Sequence, residues 1–378
     1  VTQNTAAMEA GGHIKYRIQH TRFADDSVDA LHLQPHLTDH IASLRAFVGD
    51  SGEHWDWRLD YQLQSQHGDH LQRRGEVDDD QQRRWDLTHI LDDSEDHRAL
   101  QKLDRAYLGY SDDQRVMRLG RQAISWGNGL VYHPLDVFNP FAPTTVDKEY
   151  KNGDDMAYGQ YLRENGDDLQ AVWVFQSESV ALKYHGFAGE REYDLLLARH
   201  YNDELVGAGF TTPLGEALWR GDISATHVEG DWRWSLVTNL AYSWIWQGHN
   251  VSALAEYYYN GIGQTGERYQ DSDLSPALVE RLQRGELFTL GRNYLALSAT
   301  IEITPLWLLT PTLLNNLGDQ SALLQVTSQH DLSQNLQLLL SISLPMGPTG
   351  SEYGGYQTAP RMWRQHELTA TAQLAWYF

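Results

Sequence analysis

The chain has 378 residues and no cysteine. That absence excludes disulfide frameworks, thiolate metal sites and thiol nucleophiles together. It agrees with an exported protein that avoids oxidative mispairing. Long apolar runs are missing too. No stretch of about 18 apolar residues exists, so no transmembrane helix is available. Basic residues are outnumbered, 29 Lys and Arg against 51 Asp and Glu, for a net charge of −22. An acidic chain is a poor partner for nucleic acid, which needs clustered Lys and Arg. The opening "VTQNTAAMEAGG" has neither a basic start nor an apolar core, so the numbered chain is expected to begin after any signal peptide. Proline is scarce, at 11 residues against 31 glycines, and no low-complexity linker divides the chain. It reads as a single domain over 1–378.

Aromatics are abundant: 13 Trp and 20 Tyr in a chain of negative mean hydropathy. Girdles of Trp and Tyr at two lipid–water interfaces would account for them. An aromatic-rich carbohydrate-binding β protein is the alternative. The ordering of the apolar residues separates the two. In "HWDWRLDYQLQ", Trp55, Trp57, Leu59, Tyr61 and Leu63 share one face, against Asp56, Arg58, Asp60, Gln62 and Gln64. The same period of two recurs in "HIKYRIQH", "IASLRAFV", "WRWSLVTNLAYSW", "VSALAEYYYN", "YLALSATIEI", "LQLLLSISL" and the closing "HELTATAQLAWYF". Period two over about ten residues is the pattern of a tilted membrane-spanning strand.

Strands are expected near 13–23, 39–48, 54–66, 100–110, 114–122, 156–164, 168–177, 178–186, 191–201, 204–213, 216–228, 231–246, 249–260, 290–303, 306–316, 319–329, 333–346 and 365–378. The count is eighteen, an even number, as single-chain bacterial barrels need. Fourteen or sixteen would also close. The weakest assignment is 178–186, which could be loop. Pro311 asks for a bulge or an early strand end. Connections alternate in length. "GDSGE", "SDDQ", "ENGDD", "QGHN" and "DLSQN" are tight turns. Long stretches near 67–99, 122–155, 261–289 and 347–364 lie between them. Short turns on one rim and long loops on the other describe an all-β, antiparallel transmembrane barrel. "SPALVERLQRG" predicts a short helix capped by Ser275 and ended by Gly285.

In such a barrel the polar partner of each outward residue faces the lumen. Parity places Lys15, Arg17, Arg45, Arg58, Arg105, Arg118, Arg220 and Arg233 inside, with Asp56, Asp60, Asp222, Glu256 and Glu302. This pore-lining set leans basic in an acidic chain and favours anions. The competing reading is bracing, with Arg–carboxylate ladders such as Asp56–Arg58–Asp60 stiffening the wall. The 122–155 stretch is the candidate constriction loop. Its Trp126, Tyr132, Phe138, Phe141 and Tyr150 are badly placed in water and well placed packed inside. An extracellular lid is the alternative. The acidic runs Asp78–Asp80 and Asp92–Asp96 lack the spacing of a calcium loop and read as solvated charge. No G-x-S-x-G, H-E-x-x-H or phosphate-cradling loop occurs, so no catalytic residue, metal or cofactor is assigned.

The terminal alternation at Leu374, Trp376 and Phe378 resembles the assembly signal of Gram-negative outer-membrane barrels. "RLGRQAISWGNGL", followed by "VFNPFAP" and "DKEYKNGDDM", is similar to the central segment of porin-like proteins distantly related to alginate-export porins. Leu119, Gly120, Arg121, Gln122, Trp126 and Gly127 carry that likeness. The resemblance implies a bacterial outer-membrane location. It implies outer-membrane lipid, lipopolysaccharide and the barrel-assembly machinery as partners, and a role as a porin. A structural or sheath barrel around a periplasmic or surface partner is the alternative, with an outer-membrane enzyme behind it.

Overall fold

A computed structural model describes residues 8–25, 27–32, 34–73, 80, 83–359, 362–364 and 366–378. Its strands are β1 (Glu9–Arg22), β2 (His36–Ser51), β3 (Trp55–Gly68), β4 (Thr88–Asp93), β5 (His97–Ser111), β6 (Arg115–Gln122) and β7 (Asp154–Leu162). They continue as β8 (Asp168–Val174), β9 (Ser179–Ala188), β10 (Arg191–His200), β11 (Asp203–Leu214), β12 (Ala217–Val228), β13 (Asp231–Trp246) and β14 (His249–Tyr259). The last are β15 (Asn293–Thr304), β16 (Trp307–Asn316), β17 (Ser321–Ser333), β18 (Leu336–Met346), β19 (Tyr356–Ala359), β20 (Met362–Arg364) and β21 (Leu368–Tyr377).

Eighteen of these form one closed antiparallel ring, each paired with its neighbours in chain order. β4 pairs only with β5, over the stretch Arg98–Lys102 that β6 does not reach. β19 and β20 form a separate hairpin. The ring closes where β1 meets β21, in register from His13 opposite Tyr377 to Arg22 opposite Leu368. The Phe378 amide donates to the Gly12 carbonyl at 3.0 Å, and the Gly12 amide returns a bond of 2.9 Å. Closure leaves the ring without a free edge, the device by which a sheet satisfies its outermost amides.

One rim carries only turns of five residues or fewer, together with both ends of the ring. The other rim carries the long connections 23–35, 69–96, 123–153, 260–292 and 347–367. The segment 179–188 is a full strand, β9, paired on both sides. Pro311 neither bulges nor ends β16. The register with β15 skips the rungs at Thr310 and Pro311 and resumes unchanged at Leu309 and Thr312. Hydroxyl pairs fill the gap, Ser298 with Thr312 at 2.8 Å and Thr300 with Thr310 at 3.2 Å. The short helix α2 is Pro276–Gln283 (an earlier one, α1, spans Val28–His32). Ser275 caps α2 by accepting from the Leu278 amide.

The outer face is apolar all round. Ile14, Tyr16, Leu59, Leu119, Leu195, Leu197, Trp234, Leu240, Tyr242, Leu340, Ile342, Leu374 and Trp376 stand exposed there, with Trp57 and Leu338 half-exposed beside them. Their chain neighbours Lys15, Asp60, Gly120, Asp194, Leu196, Asn239, Leu339, Gln373 and Ala375 are buried on the inner face. The usual inside-out distribution of a soluble domain is inverted, and an apolar belt of this extent needs a non-aqueous cover.

Because the final residue carries part of the closing seam, removing Phe378 should lower the yield of assembled barrel severalfold. Deleting Ser94, a loop residue, should not. The folded fraction is read by the faster migration of unboiled barrel on a denaturing gel, and equal folded fractions would disprove the dependence.

Candidate functional site

The connection from β6 to β7, residues 123–153, turns into the barrel. Its front half docks on the inner wall through two apolar clusters. Trp126, Leu135 and Phe138 bury against Met156, Val172, Val174, Ala181, Leu196 and Leu205, on β7 to β11. Val131 and Tyr132 bury against Val237, Tyr258, Tyr294, Ala296, Leu314 and Leu323, on β13 to β17, with Tyr353 above them. Tyr132 stacks on Tyr258 with ring centroids 4.8 Å apart, and Trp126 meets Phe138 edge-on at 5.6 Å. The Trp126 indole donates to Gln170 at 2.8 Å. Phe141 lines a small void beside Tyr132, Tyr258 and Phe288.

Two wall carboxylates anchor this half. Glu256, fully buried on β14, accepts the backbone amides of Leu130 (2.7 Å), Val131 (3.0 Å) and Tyr132 (2.7 Å), and the Asn239 side chain at 3.1 Å. Asp222, on β12, accepts the amides of Asn128 (2.6 Å) and Gly129 (3.1 Å) and the Asn128 side chain at 2.8 Å. Gly129 has no alternative, since a Cβ there would lie 1.9 Å from the Tyr132 carbonyl. The parity reading put Asp222 and Glu256 in the pore-lining set. They face inward but hold the loop.

The remaining residues picked out by parity separate into three groups. Arg45 lies 2.9 Å from Asp104 and 3.5 Å from Asp60; Arg58 reaches Asp60 at 2.5 Å; Arg105 reaches Asp104 at 2.7 Å; Arg118 lies 3.3 Å from Asp56. These are carboxylate ladders. Arg233 pairs with Asp231 near the long-loop rim, and Glu302 accepts from Asn250 at the short-turn rim. Arg17 and Arg220 stand apart. The Arg17 Nε and one Arg220 Nη are buried with no hydrogen-bond partner, as is the Arg118 Nε, but neither Arg17 nor Arg220 has a salt bridge among the described residues. Asp104 was invisible to parity. The β3–β5 register shifts beside Asp60, so Asp104 and Arg105 are neighbours in sequence and both turn inward. A β-bulge breaks strict alternation in this way.

The back half of the loop, Thr144–Lys151, crosses the other side of the lumen on polar contacts. Thr144 O accepts from Gln325 on β17 at 2.9 Å. Lys15 Nζ holds Asp147 at 2.6 Å and Glu149 at 2.5 Å. Gln373 also donates to Asp147, at 2.9 Å, and the Tyr377 hydroxyl to Glu149, at 3.0 Å. The Arg45 guanidinium lies 4.1 Å over the Tyr150 ring. Burial alone would raise the Asp147 carboxyl, but the bonds from Lys15 and Gln373 outweigh it and hold it below the usual range. Burial drives His133, in the apolar half, down to about 4, with Lys148 and Lys151 adding to the effect.

Beside this strap the lumen is unfilled. One cavity of about 420 Å³ is lined by Lys15, Arg17, Arg45, Arg98, Lys102 and Gln62–Gln64–Gln66 of β3, among others. A second, of about 300 Å³, lies towards β17, β18 and β21. Both are lined by Arg17, Asp147 and Gln373, so they lie on either side of these residues. Sequence reasoning missed Asp147 and Glu149. Their adjacency to Tyr150 in a loop already singled out was the available signal.

The acidic runs differ: Asp92, Asp93, Glu95 and Asp96 are exposed, and Asp80 is not. Asp80 is buried and accepts from Arg83, Arg121 and the Leu87 amide. Asp92 and Asp93 pair with His97 and Arg98. Asp78 and Asp79 lie outside the described residues. Among the described residues no group of three or more His, Asp or Glu is placed to hold a metal ion, and no helix is long and apolar enough to cross a membrane.

No family model and no curated protein matches the sequence. Solved structures match over nearly the whole chain. OccK8 (OprE) of Pseudomonas aeruginosa is 6% identical with a TM-score of 0.57, and 98% of each chain is covered. OccK5 (OpdH) of the same organism is 8% identical with a TM-score of 0.54, again with 98% of each covered. A mutant porin of Rhodopseudomonas blastica is 8% identical with a TM-score of 0.48, covering 98% of this chain and all of its own. At these identities the likeness to the two Pseudomonas barrels is one of fold. The chain has the porin-like fold, an eighteen-stranded closed antiparallel barrel.

Two experiments probe the filled half. Glu256→Ala leaves three buried loop amides without an acceptor, at about 1–3 kcal/mol each. The loop should detach and become protease-sensitive in the folded barrel, and retained protection would refute the anchoring role. A second carboxyl sits higher. Glu352, in the 347–367 connection, accepts from Tyr294 (2.6 Å), Asn316 (2.8 Å) and the Leu290 amide (3.0 Å), and its burial raises its carboxyl to about 7. A raised carboxyl favours the protonated form in the folded state. Loop docking should therefore weaken as pH rises from about 4.5 to about 7, then level off. Hydrogen-exchange protection of 347–359 should follow that curve, and Glu352→Gln should flatten it.

Proposed function

We propose that the chain is a Gram-negative outer-membrane porin whose unfilled half carries small or polymeric anionic solutes. The observation that carries this reading is the pair of adjacent cavities that share Arg17 in their lining. In a chain of net charge −22, the larger is lined by Lys15, Arg17, Arg45, Arg98 and Lys102 with Asp147 as its acid. The Arg17 Nε has no hydrogen-bond partner, and no salt bridge to Arg17 occurs among the described residues, although Asp147 and Asp39 act on it at longer range. A guanidinium in a polar cavity attracts anions and offers forked bonds to a carboxylate or phosphate. The apolar belt supports a membrane location, and the closed ring supports spanning it. The resemblance of segments within 118–156 to alginate-export-type porins supports transport as the role. The sheath alternative fares worse, because the chain's own loop fills the β7–β16 side where a threaded partner would sit.

Bracing and selectivity coexist on this reading, divided between residues. Arg45, Arg58, Arg105 and Arg118 brace, being tied to Asp60, Asp104 and Asp56. Arg17 selects. In planar bilayers the wild type should show a reversal potential favouring anions. Arg17→Gln should reduce the anion-to-cation permeability ratio by about twofold or more, with melting unchanged. Arg105→Gln should lower the melting temperature and leave selectivity nearly as it was. A cation-favouring wild type would overturn the function.

A further inference from the structure

The two halves of the 123–153 loop are held by different physics. The front half is held by buried apolar surface and by backbone amides on Asp222 and Glu256. No residue of Thr144–Tyr150 belongs to either apolar cluster. This strap rests on charge. Its two carboxylates, two residues apart, converge on one ammonium, Lys15, and each takes a second donor from β21, Gln373 for Asp147 and Tyr377 for Glu149. Contacts of that kind can be exchanged for an equivalent anion, whereas apolar docking cannot.

Lys15, Gln373 and Tyr377 therefore make a site shaped for two carboxylates, filled by the protein's own chain. Arg17 lies two residues from Lys15 on the same inward face of β1 and borders both cavities that reach Asp147. An anion entering either cavity meets Arg17 next to the occupied site. We infer that Lys15, Gln373 and Tyr377 form a dicarboxylate-binding site, closed at rest by Asp147 and Glu149, and that a dicarboxylate solute displaces the strap to occupy it. This rests on the anion-porin reading and adds to it a substrate class and a resting competitor. A monocarboxylate replaces one strap carboxylate and leaves the other in place.

The test is binding of succinate and acetate to the full-length folded barrel in detergent, by titration calorimetry. A site closed by an internal competitor shows an affinity reduced by the fraction of time it is open. Removing the competitor with Asp147→Asn/Glu149→Gln should tighten succinate binding by about tenfold or more. Acetate should gain much less, and adding Lys15→Gln should abolish the gain. The single substitutions Asp147→Asn and Glu149→Gln should each give part of the effect, which keeps the test decisive if the double variant does not assemble. Unchanged succinate affinity in the folded variants, or equal gains for acetate and succinate, would overturn the inference. The wild-type reversal potential is read separately. If it favours anions while succinate affinity is unmoved, the strap proposal alone falls. If it favours cations, the underlying reading falls with it.

Discussion

The seam between β1 and β21 is the constraint from which the rest follows. A strand surrounded by lipid cannot leave amides or carbonyls unpaired, because each would cost several kcal/mol with no water to repay it. A sheet can meet that demand only by closing on itself. Closure of an antiparallel meander with both ends on one rim fixes an even strand number. It also sends every connection on the opposite rim outward, where length is tolerated. The asymmetry between turns of five residues or fewer and loops of up to thirty-three follows from that single requirement.

Closure creates a second problem, an interior that must be filled or hydrated. Here the two solutions occupy opposite sides of one lumen. Towards β7–β16 the interior is treated as a protein core, with Trp126, Leu135, Phe138 and Tyr132 packed on wall residues. Carboxylates in that region serve as acceptors for loop amides. Towards β18–β6 the interior stays polar, and charge is balanced by pairs: Arg45 with Asp60 and Asp104, Arg118 with Asp56, Lys15 with Asp147 and Glu149. Buried charges left single are costly, so the pairing braces the wall and lowers the field in the passage at once. At Arg17, within that polar region, the Nε has no hydrogen-bond partner.

Parity gave the inward set because it rests on a local rule: neighbouring side chains on a strand point to opposite faces. It failed at Asp104, where one inserted residue turned two successive side chains the same way. It gave direction without role for Asp222 and Glu256. A carboxylate that faces a passage and one that holds a loop have identical parity. The difference lies in which backbone amides arrive from about a hundred residues away. Pro311 was over-read for a related reason. A missing amide need not break a strand when neighbouring hydroxyls, Ser298 and Thr312 here, knit the gap.

What the sequence determined by itself was the fold and its inversion. The main strands, the outward Trp and Leu and the capped helix at Ser275 come from periods and compositions within a few residues of each other, whereas the sequence left open whether the aromatic loop turns inward or forms an outer lid. The tertiary structure decided how the lumen is divided, and no local pattern encodes that. Asp147 and Glu149 meet Lys15 across more than 130 positions of chain. Arg17 and Arg45 share β-sheet parity and residue class, yet Arg45 is salt-bridged to Asp60 and Asp104 while Arg17 has no salt bridge among the described residues. Whether a guanidinium finds a carboxylate depends on the stagger of strands around a closed ring and on where a long loop comes to rest, and both are set only when the ring has closed.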